Sequence, residues 1–324
     1  MTFSVARVIA AALAPAGSRA RLSILIYHRV RAVPDPLFPD ELDAAGFDRQ
    51  LRVVSRLFNI LPLPQAIRRL EDDTLPARPA CITFDDGYAD NVEVALPILK
   101  RHRMTATFFI STGYLDGGRM WNDTVIESVR QSTGDTLDLT RVGLRPFSIA
   151  TDASRIETIG AVLDQFKYLD PDDRSDRCAA VQEIAKATPP DDLMLSSPQV
   201  RELRSAGMDI GAHTVSHPIL ARVPTDVARR EISEGREALQ ALTGSTVSLF
   251  AYPNGKPNVD YTAEHVTMTR ALGFDAAVTT SWGVATNATD RYQLPRFTPW
   301  DRTNGRITLR LLHNLMARVD GAPQ

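Results

Sequence analysis

An alternation of apolar runs of strand length with segments of helical periodicity is the feature that most limits how this chain can fold. Helical periodicity is clearest over residues 47–57 and 228–242. Strands that alternate with helices form parallel sheets covered on both faces. Seven strands in about 260 residues favour an α/β fold of the deformed (β/α)7 barrel type, similar to a TIM barrel, with an open sheet as the alternative. The predicted strands are 24–28, 59–63, 81–86, 106–111, 208–213, 248–252 and 276–280, with 292–297 as a further short piece.

The alternation lapses between about residues 114 and 197, where apolar residues recur at helical spacing over 156–169. This segment is predicted to be a helical insertion after the fourth strand. Because loops that follow barrel strands form the mouth of the active site, the insertion is expected to be a lid or substrate wall. A packing appendage without substrate contact is the alternative. Trp121 is a candidate sugar contact, since aromatic rings stack on the apolar faces of sugars.

The expected organisation is one barrel with short additions at both ends. Residues 1–21 form an N-terminal extension, residues 22–300 form the barrel with 114–197 partly as its insertion, and residues 301–324 form a C-terminal helix. The formal charge of −2, from 37 basic and 39 acidic residues, gives no general attraction to the phosphate backbone. We therefore expect no nucleic-acid partner.

The N-terminal extension carries a short apolar stretch, residues 8–13, between Arg7 and Arg19. It is short for a signal peptide and lacks a clean cleavage site, so we expect a helix that lies on the domain or on a membrane surface. A cleaved signal peptide is the alternative. No later segment approaches the roughly 20 apolar residues that span a bilayer. The expected location is cytoplasmic or peripheral to the inner membrane through the N-terminus, with an exported form as the alternative.

The motif TFDDG places two adjacent carboxylates, Asp85 and Asp86, at the end of an apolar strand. Burial of a charge without a partner is very costly, so the pair requires a cation or a metal beside it. In a strand, successive side chains point to opposite faces, so the two carboxylates can take different tasks.

A second motif, GAHTVSHP, ends the fifth predicted strand and places His213 and His217 four residues apart. Neutral imidazoles join carboxylates around zinc-like ions, and this spacing puts both rings on one side if the segment turns helically. Each motif alone is a modest signal. Together they are stronger, because a barrel brings the ends of separate strands to one rim.

The two motifs together resemble those of the polysaccharide deacetylase family, which is carbohydrate esterase family 4, built on the NodB homology domain. The resemblance covers roughly residues 22–300. It implies a hydrolase that cleaves the C–N bond of linear amides, removing N-acetyl groups from an amino-sugar polymer or oligomer. It further implies that Asp85 is the catalytic base and that Asp86, His213 and His217 bind a divalent metal, expected to be Zn²⁺ with Co²⁺ or Ni²⁺ as alternatives.

The general acid departs from the commonest pattern of that family, a Leu-x-His motif near the C-terminus. The one match here ends at His313, which lies within the helical pattern of residues 307–319. His28, by contrast, closes the first predicted strand at the same rim as Asp85. This arrangement resembles the circularly permuted branch typified by poly-N-acetylglucosamine deacetylases. His28 is therefore the preferred acid, and His313 is the alternative.

A second departure concerns the Arg-x-Pro-Tyr motif that orients the base in much of the family. The segment FAYPNG has Ala251 in place of the Arg. We expect Arg296 of LPRF, a feature that resembles the permuted branch, to reach Asp85 instead. Three neighbouring residues are predicted to line the groove, with a backbone N–H near the first as an oxyanion donor: Tyr252, Pro253 and Asn254.

The favoured function is a metal-dependent deacetylase of exopolysaccharide or cell-envelope glycan. A non-catalytic carbohydrate-binding protein on the same barrel is the main alternative, and a scaffold without a metal is a third. Retention of the base and of all three candidate ligands favours the enzyme.

Overall fold

A curved sheet of parallel strands forms the centre of the protein, whose computed structural model describes residues 3–299 and 301–317. Neighbours in the sheet follow the order β1-β3-β4-β7-β8-β9, and every pair along it is parallel. The strands are β1 (Ser23–Tyr27), β2 (Asn59–Ile60), β3 (Pro79–Phe84), β4 (Thr107–Ile110), β5 (Thr136–Asp138), β6 (Pro146–Ser148), β7 (Asp209–Ala212), β8 (Leu249–Ala251) and β9 (Ala276–Val278).

Residues 294–297 join the two ends of this sheet. The Leu294 N–H donates to Ala277 O (2.9 Å) in β9, and the Phe297 N–H donates to Ile24 O (2.8 Å) in β1. Six strands and this piece form the barrel, and the predicted deformed (β/α)7 fold is confirmed. One predicted strand is wrong as a barrel strand, because β2 has only two residues and pairs with the first residues of β3.

Helices cover the outside of the sheet. α1 packs against α2 and α11, so the described part of the predicted N-terminal extension lies beside the described part of the predicted C-terminal helix. Residues 1–2 and 318–324 of these two predicted segments lie outside the described residues. In the described residues, no helix is long and apolar enough to cross a membrane. The helices are α1 (Phe3–Leu13), α2 (Ala44–Leu57), α3 (Leu63–Glu71), α4 (Leu96–His102), α5 (Trp121–Gln131), α6 (Asp152–Phe166), α7 (Pro171–Ala185), α8 (Ser197–Ser205), α9 (Thr225–Thr243), α10 (Ala263–Ala271) and α11 (Asn304–Asn314).

Alternation along the strands separates the interior of the barrel from the helix-covered face. In β3, Cys81 belongs to the interior cluster, whereas Ile82 and Phe84 belong to the outer core. In that outer core the Phe84 ring stacks between the rings of Tyr27 and Phe108, with centroid-to-centroid distances of 5.3 Å and 4.8 Å. The period of two therefore directs Asp85, two residues beyond Thr83, into the barrel.

The insertion after β4 is a small unit with its own apolar cluster. α5 packs against α6 and α7, and the antiparallel hairpin β5–β6 covers them. The cluster includes Val129, Phe147 and Phe166, together with Leu37 from the loop after β1. The predicted helix over 156–169 corresponds to α6, but the hairpin was not predicted, because its strands have only three residues each.

Candidate functional site

A buried ion pair between Asp85 and Arg296 lies inside the barrel, at the carboxyl ends of the strands. Arg296 Nη1 donates to Asp85 Oδ1 (2.7 Å) and Nη2 donates to Oδ2 (2.6 Å), a bidentate contact. Asp85 is 2% exposed and Arg296 is 0% exposed. Arg296 comes from residues 294–297, the piece that closes the barrel. Its contact with Asp85 is the one expected for it from the sequence.

The guanidinium of Arg296 makes further hydrogen bonds besides those to Asp85. Its Nε donates to Thr279 O (2.8 Å) and its Nη1 also donates to Thr83 Oγ1 (3.2 Å). Burial alone would raise the pKa of Asp85, but the charge and hydrogen bonds of Arg296 outweigh burial and lower it. Asp85 is therefore an ionised carboxylate at neutral pH.

Asp86 turns away from Asp85 because its backbone leaves the strand. Its φ is 74°, in the left-handed region, and Gly87 follows at 88°. A Cβ at Gly87 would lie 3.0 Å from the Ile110 side chain, so the turn requires glycine. Burial opposes ionisation of Asp86, yet its contacts with His213 and the other nearby imidazoles lower the pKa of its carboxyl.

His213 follows β7 and is 1% exposed. Its Nδ1 lies 2.7 Å from Ala251 O. Because a carbonyl only accepts, Nδ1 carries a proton, so Nε2, which lies 3.4 Å from Asp86 Oδ1, is the atom that would face a metal. Burial opposes the charged form of this imidazole, but the carboxylates of Asp86 and Asp85 outweigh burial and raise its pKa.

His217 reaches the same carboxylate by a turn rather than by a helix, so the helical reading of its spacing is wrong. Thr214 (65°) and His217 (54°) both have left-handed φ values. Glu231 of α9 holds this turn by accepting from the N–H groups of Val215 (2.9 Å) and Ser216 (2.8 Å). Burial lowers the pKa of His217 to about 4, which keeps its imidazole neutral.

Asp86, His213 and His217 fit a divalent ion. Their ligand atoms all lie within 4.8 Å of one another. Both Nε2 atoms are 3.4 Å from Asp86 Oδ1, close to the ~3.3 Å between ligands that surround a tetrahedral zinc at ~2.0–2.1 Å. One carboxylate and two imidazoles are also a typical zinc donor set.

A cavity of about 280 Å³ joins these groups to the insertion. Its size is near the lower end of the ~300–1,000 Å³ of small-molecule sites. The insertion therefore forms a wall of this cavity. The residues of the insertion that line the cavity are Met120, Trp121, Asn122, Leu163, Asp164, Lys167 and Arg174.

The two candidate acids occupy different places. His28 directly follows β1, is exposed, and lines the cavity with Asp85 and the candidate metal ligands. His313 is exposed on α11, which packs against α1 and α2, and it is absent from the cavity lining of the described residues. The geometry therefore brings only His28 to the site.

Two of the predicted substrate contacts are wrong. The ring of Tyr252 is 0% exposed and stacks on Tyr261 at 4.0 Å in the outer core. Its N–H donates to Val278 O (3.3 Å), so it is not an open oxyanion donor. Pro253 is buried beside it and does not line the cavity. Asn254 and Trp121 do line it.

A buried polar cluster lies beside the site, and the sequence did not predict that its members meet. Arg29 donates from Nε to Asp90 Oδ2 (2.7 Å) and lies 4.3 Å from the centroid of the Tyr88 ring. Tyr88 in turn donates to Asp123 Oδ2 (3.1 Å). Burial raises the pKa of Asp123 to about 7. The residues of this cluster come from three segments that are distant in the sequence, so no local sequence pattern predicts that they meet.

Comparison with known families agrees with this site. The model of the family described as "Polysaccharide deacetylase" matches residues 72–141 and 170–277, more than half of the chain. The matched segments contain the TFDDG motif and both histidines of GAHTVSHP. Residues 142–169, which include α6, fall between the two matched segments.

Individual relatives are distant in sequence but similar in fold. YxkH of Bacillus subtilis (strain 168), which bears the name of a polysaccharide deacetylase, is 20% identical over 279 residues, covering 86% of this chain and 71% of YxkH. The deacetylase PplD of Streptococcus pyogenes matches with a TM-score of 0.61 at 21% identity, covering 91% of this chain and 98% of PplD. IcaB of Ammonifex degensii matches with a TM-score of 0.57 at 18% identity, covering 91% of this chain and 98% of IcaB.

The family resemblance is confirmed, whereas placement in the circularly permuted branch stays a prediction. The segments that the family model matches contain the candidate metal ligands, which meet at the rim of the barrel. A solved deacetylase structure also shares the barrel fold. The chain belongs to the polysaccharide deacetylase family, carbohydrate esterase family 4, and is a hydrolase of the amide bonds of N-acetyl groups.

Proposed function

We propose that the protein is a metal-dependent N-deacetylase of an amino-sugar polymer or oligomer. The observation that carries the proposal is one cavity that contains an ionised base and a separate donor set for a divalent ion. Asp85 is held by Arg296, while Asp86, His213 and His217 face one another beside it. A non-catalytic carbohydrate-binding protein has no use for this division of the two carboxylates.

We propose that Asp86, His213 and His217 hold Zn²⁺, with Co²⁺ or Ni²⁺ able to replace it. A bound ion of this kind supplies a Lewis acid that polarises the acetamide carbonyl and makes water a stronger acid. The Nδ1 proton of His213, held by Ala251 O at 2.7 Å, keeps that ring in the tautomer that a ligand needs.

The residues of this chain supply the proton transfers. Asp85 takes a proton from the water that attacks the acetamide carbon, and Arg296 keeps its carboxylate aligned and ionised beforehand. His28, at the mouth of the cavity, gives a proton to the sugar nitrogen as the C–N bond breaks. The products are acetate and a free amino sugar.

The biological substrate is proposed to be an exopolysaccharide or a glycan of the cell envelope. Trp121 and Asn254 line the cavity and are the proposed sugar contacts. The exposed apolar residues Val5, Val8 and Ile9 of α1 support a peripheral contact with the inner membrane from the cytoplasmic side.

Acetate release is the direct test of this function. Zn²⁺-loaded protein is expected to release acetate from at least one N-acetylated oligosaccharide in a panel of hexosamine oligomers and polymers. Asp85→Asn is expected to retain the metal but to lose activity by about 10²- to 10⁴-fold, the usual contribution of a general base. Full activity in Asp85→Asn would assign the base to another residue.

Metal content tests the proposed ligands separately from turnover. His213→Ala and His217→Ala are each expected to reduce bound Zn²⁺ after dialysis, because only two of three protein ligands remain. His313→Ala, which changes an exposed histidine away from the cavity, is the matched control. Elemental analysis that finds wild-type zinc in His213→Ala or His217→Ala would refute the assignment.

The role of His28 is tested by changing the leaving group. His28→Ala is expected to slow acetamide hydrolysis by about 10²- to 10⁴-fold, but to slow hydrolysis of an aryl acetate much less, because a phenolate leaves without being protonated. The same comparison on His313→Ala is expected to show no loss. A loss confined to His313→Ala would reverse the assignment of the acid.

The ion pair makes Arg296→Met a test of how the base is held. Without Arg296, burial raises the pKa of Asp85. The acidic limb of the pH profile of kcat/KM is therefore expected to move to higher pH by about 1–3 pH units. Removal of one partner should also lower the unfolding free energy by about 3–5 kcal/mol. The double variant with Asp85→Asn, which removes both charges, is expected to recover part of that stability. An unmoved acidic limb would separate Arg296 from the base.

A further inference from the structure

A buried arginine without an acidic partner lies in the wall of the cavity. Arg174, in the first turn of α7, is 9% exposed and lines the cavity. Its Nη1 makes one long hydrogen bond, to Lys167 O at 3.3 Å, and its guanidinium carbon lies 5.1 Å from the centroid of the Trp121 ring. Within residues 3–299 and 301–317, no carboxylate oxygen lies within 4.0 Å of its nitrogens.

This environment is unfavourable for a charge. Burial lowers the pKa of the Arg174 guanidinium, and the more distant charge of Asp170 offsets burial only in part, although an arginine stays protonated in any protein. Arg130 of the same insertion shows the usual solution, since it pairs with Asp35 at 2.7 Å and Glu127 at 3.1 Å. Its pKa is raised because those carboxylates outweigh burial. Arg174 therefore has donors that the folded chain leaves without an anion.

Arg78 shows that a lack of an acidic partner is not sufficient by itself. Arg78 is 8% exposed and has no ion pair among the described residues. Its Nη1, however, makes a 2.6 Å hydrogen bond to Leu57 O at the C-terminal end of α2, where the helix dipole favours a cation. Among the described residues, Arg174 makes only the 3.3 Å hydrogen bond and the contact with the Trp121 ring, and it lines the cavity that contains Asp85.

A second cation lies beside it. Lys167, the C-cap residue of α6, lines the same cavity and the adjoining groove, and the described residues provide no ion pair for it. The carboxylates of the cavity floor are already engaged, Asp85 by Arg296 and Asp86 by the two imidazoles. The exposed Asp164, one turn earlier on α6, is the remaining acidic group of the lining.

We propose that Arg174, with Lys167, binds an anionic group of the substrate. A guanidinium fork recognises carboxylate and phosphate oxygens by paired hydrogen bonds, and Trp121, a proposed sugar contact, lines the same cavity. The substrate is then an acidic N-acetylated glycan rather than a neutral homopolymer. This inference rests on the proposed deacetylase function and adds the chemical class of its substrate.

Selectivity for charge is the first test. Zn²⁺-loaded wild type is compared on three N-acetylated oligosaccharides of equal length: a neutral one, one with a carboxylate on alternate sugars, and one with a terminal diphosphate. The wild-type kcat/KM is expected to be at least about 10-fold higher for one of the acidic substrates than for the neutral one. Arg174→Gln should reduce that ratio by about 10- to 100-fold, the range for a lost charge-assisted hydrogen bond.

Arg145→Gln is the matched control. Arg145 also lies in the insertion and covers an aromatic ring, that of Phe147 at 4.5 Å, but it is exposed and does not line the cavity. It is expected to keep both the activity and the ratio of the wild type. The acidic substrate that shows the Arg174-dependent ratio identifies the anion as a carboxylate or a phosphate. A wild-type ratio near one, or a ratio that Arg174→Gln leaves unchanged, would overturn the inference while the deacetylase function stands.

Binding gives a readout that does not depend on turnover. Calorimetry in the Asp85→Asn background, with and without Arg174→Gln, is expected to show weaker binding of the acidic oligosaccharide only when Arg174 is replaced. Equal affinities would overturn the inference. If no substrate releases acetate but binding still depends on Arg174, the deacetylase function fails and the anion site remains. Thermal unfolding checks that the variant is folded. Because Arg174→Gln removes an uncompensated charge, its Tm is expected to be unchanged or raised.

Discussion

The buried pair of Asp85 and Arg296 is the interaction on which the rest of the site depends. Asp85 directly follows β3, and Arg296 lies in the piece that joins β9 to β1, so their contact exists only in the closed barrel. The guanidinium offsets the burial of the carboxylate, and that compensation keeps a base ionised inside a low-dielectric interior. The adjacent Asp86 is thereby left to the two imidazoles.

Much of this arrangement is predictable from the sequence, because strand alternation and short motifs are local properties. The parity of β3 places Asp85 in the barrel, and the resemblance to the deacetylase family, together with the absence of an arginine in FAYPNG, directs attention to Arg296. The same parity should have excluded Tyr252. In β8, Ala251 faces the interior cluster, so the next residue along faces the helix-covered core.

The remaining features could not be predicted, because they depend on backbone conformation or on contacts between distant segments. His217 meets Asp86 only because Thr214 and His217 adopt left-handed conformations, and Glu231 of α9 holds the turn between them. α9 also approaches this turn closely, since a Cβ at Gly235 would lie 2.8 Å from Thr214 backbone atoms. Arg174 enters the cavity through the tertiary packing of the insertion, which no local pattern describes.

The insertion has an apolar cluster distinct from the two clusters of the barrel. The barrel supplies Asp85, Arg296 and the three candidate metal ligands, while the insertion supplies Trp121, Lys167 and Arg174. Substitutions in the cluster of the insertion can therefore reshape the substrate wall with little effect on the base beneath it. Such a chain can change the glycan it accepts during evolution while it keeps its reaction, because recognition and chemistry are encoded in separately packed parts.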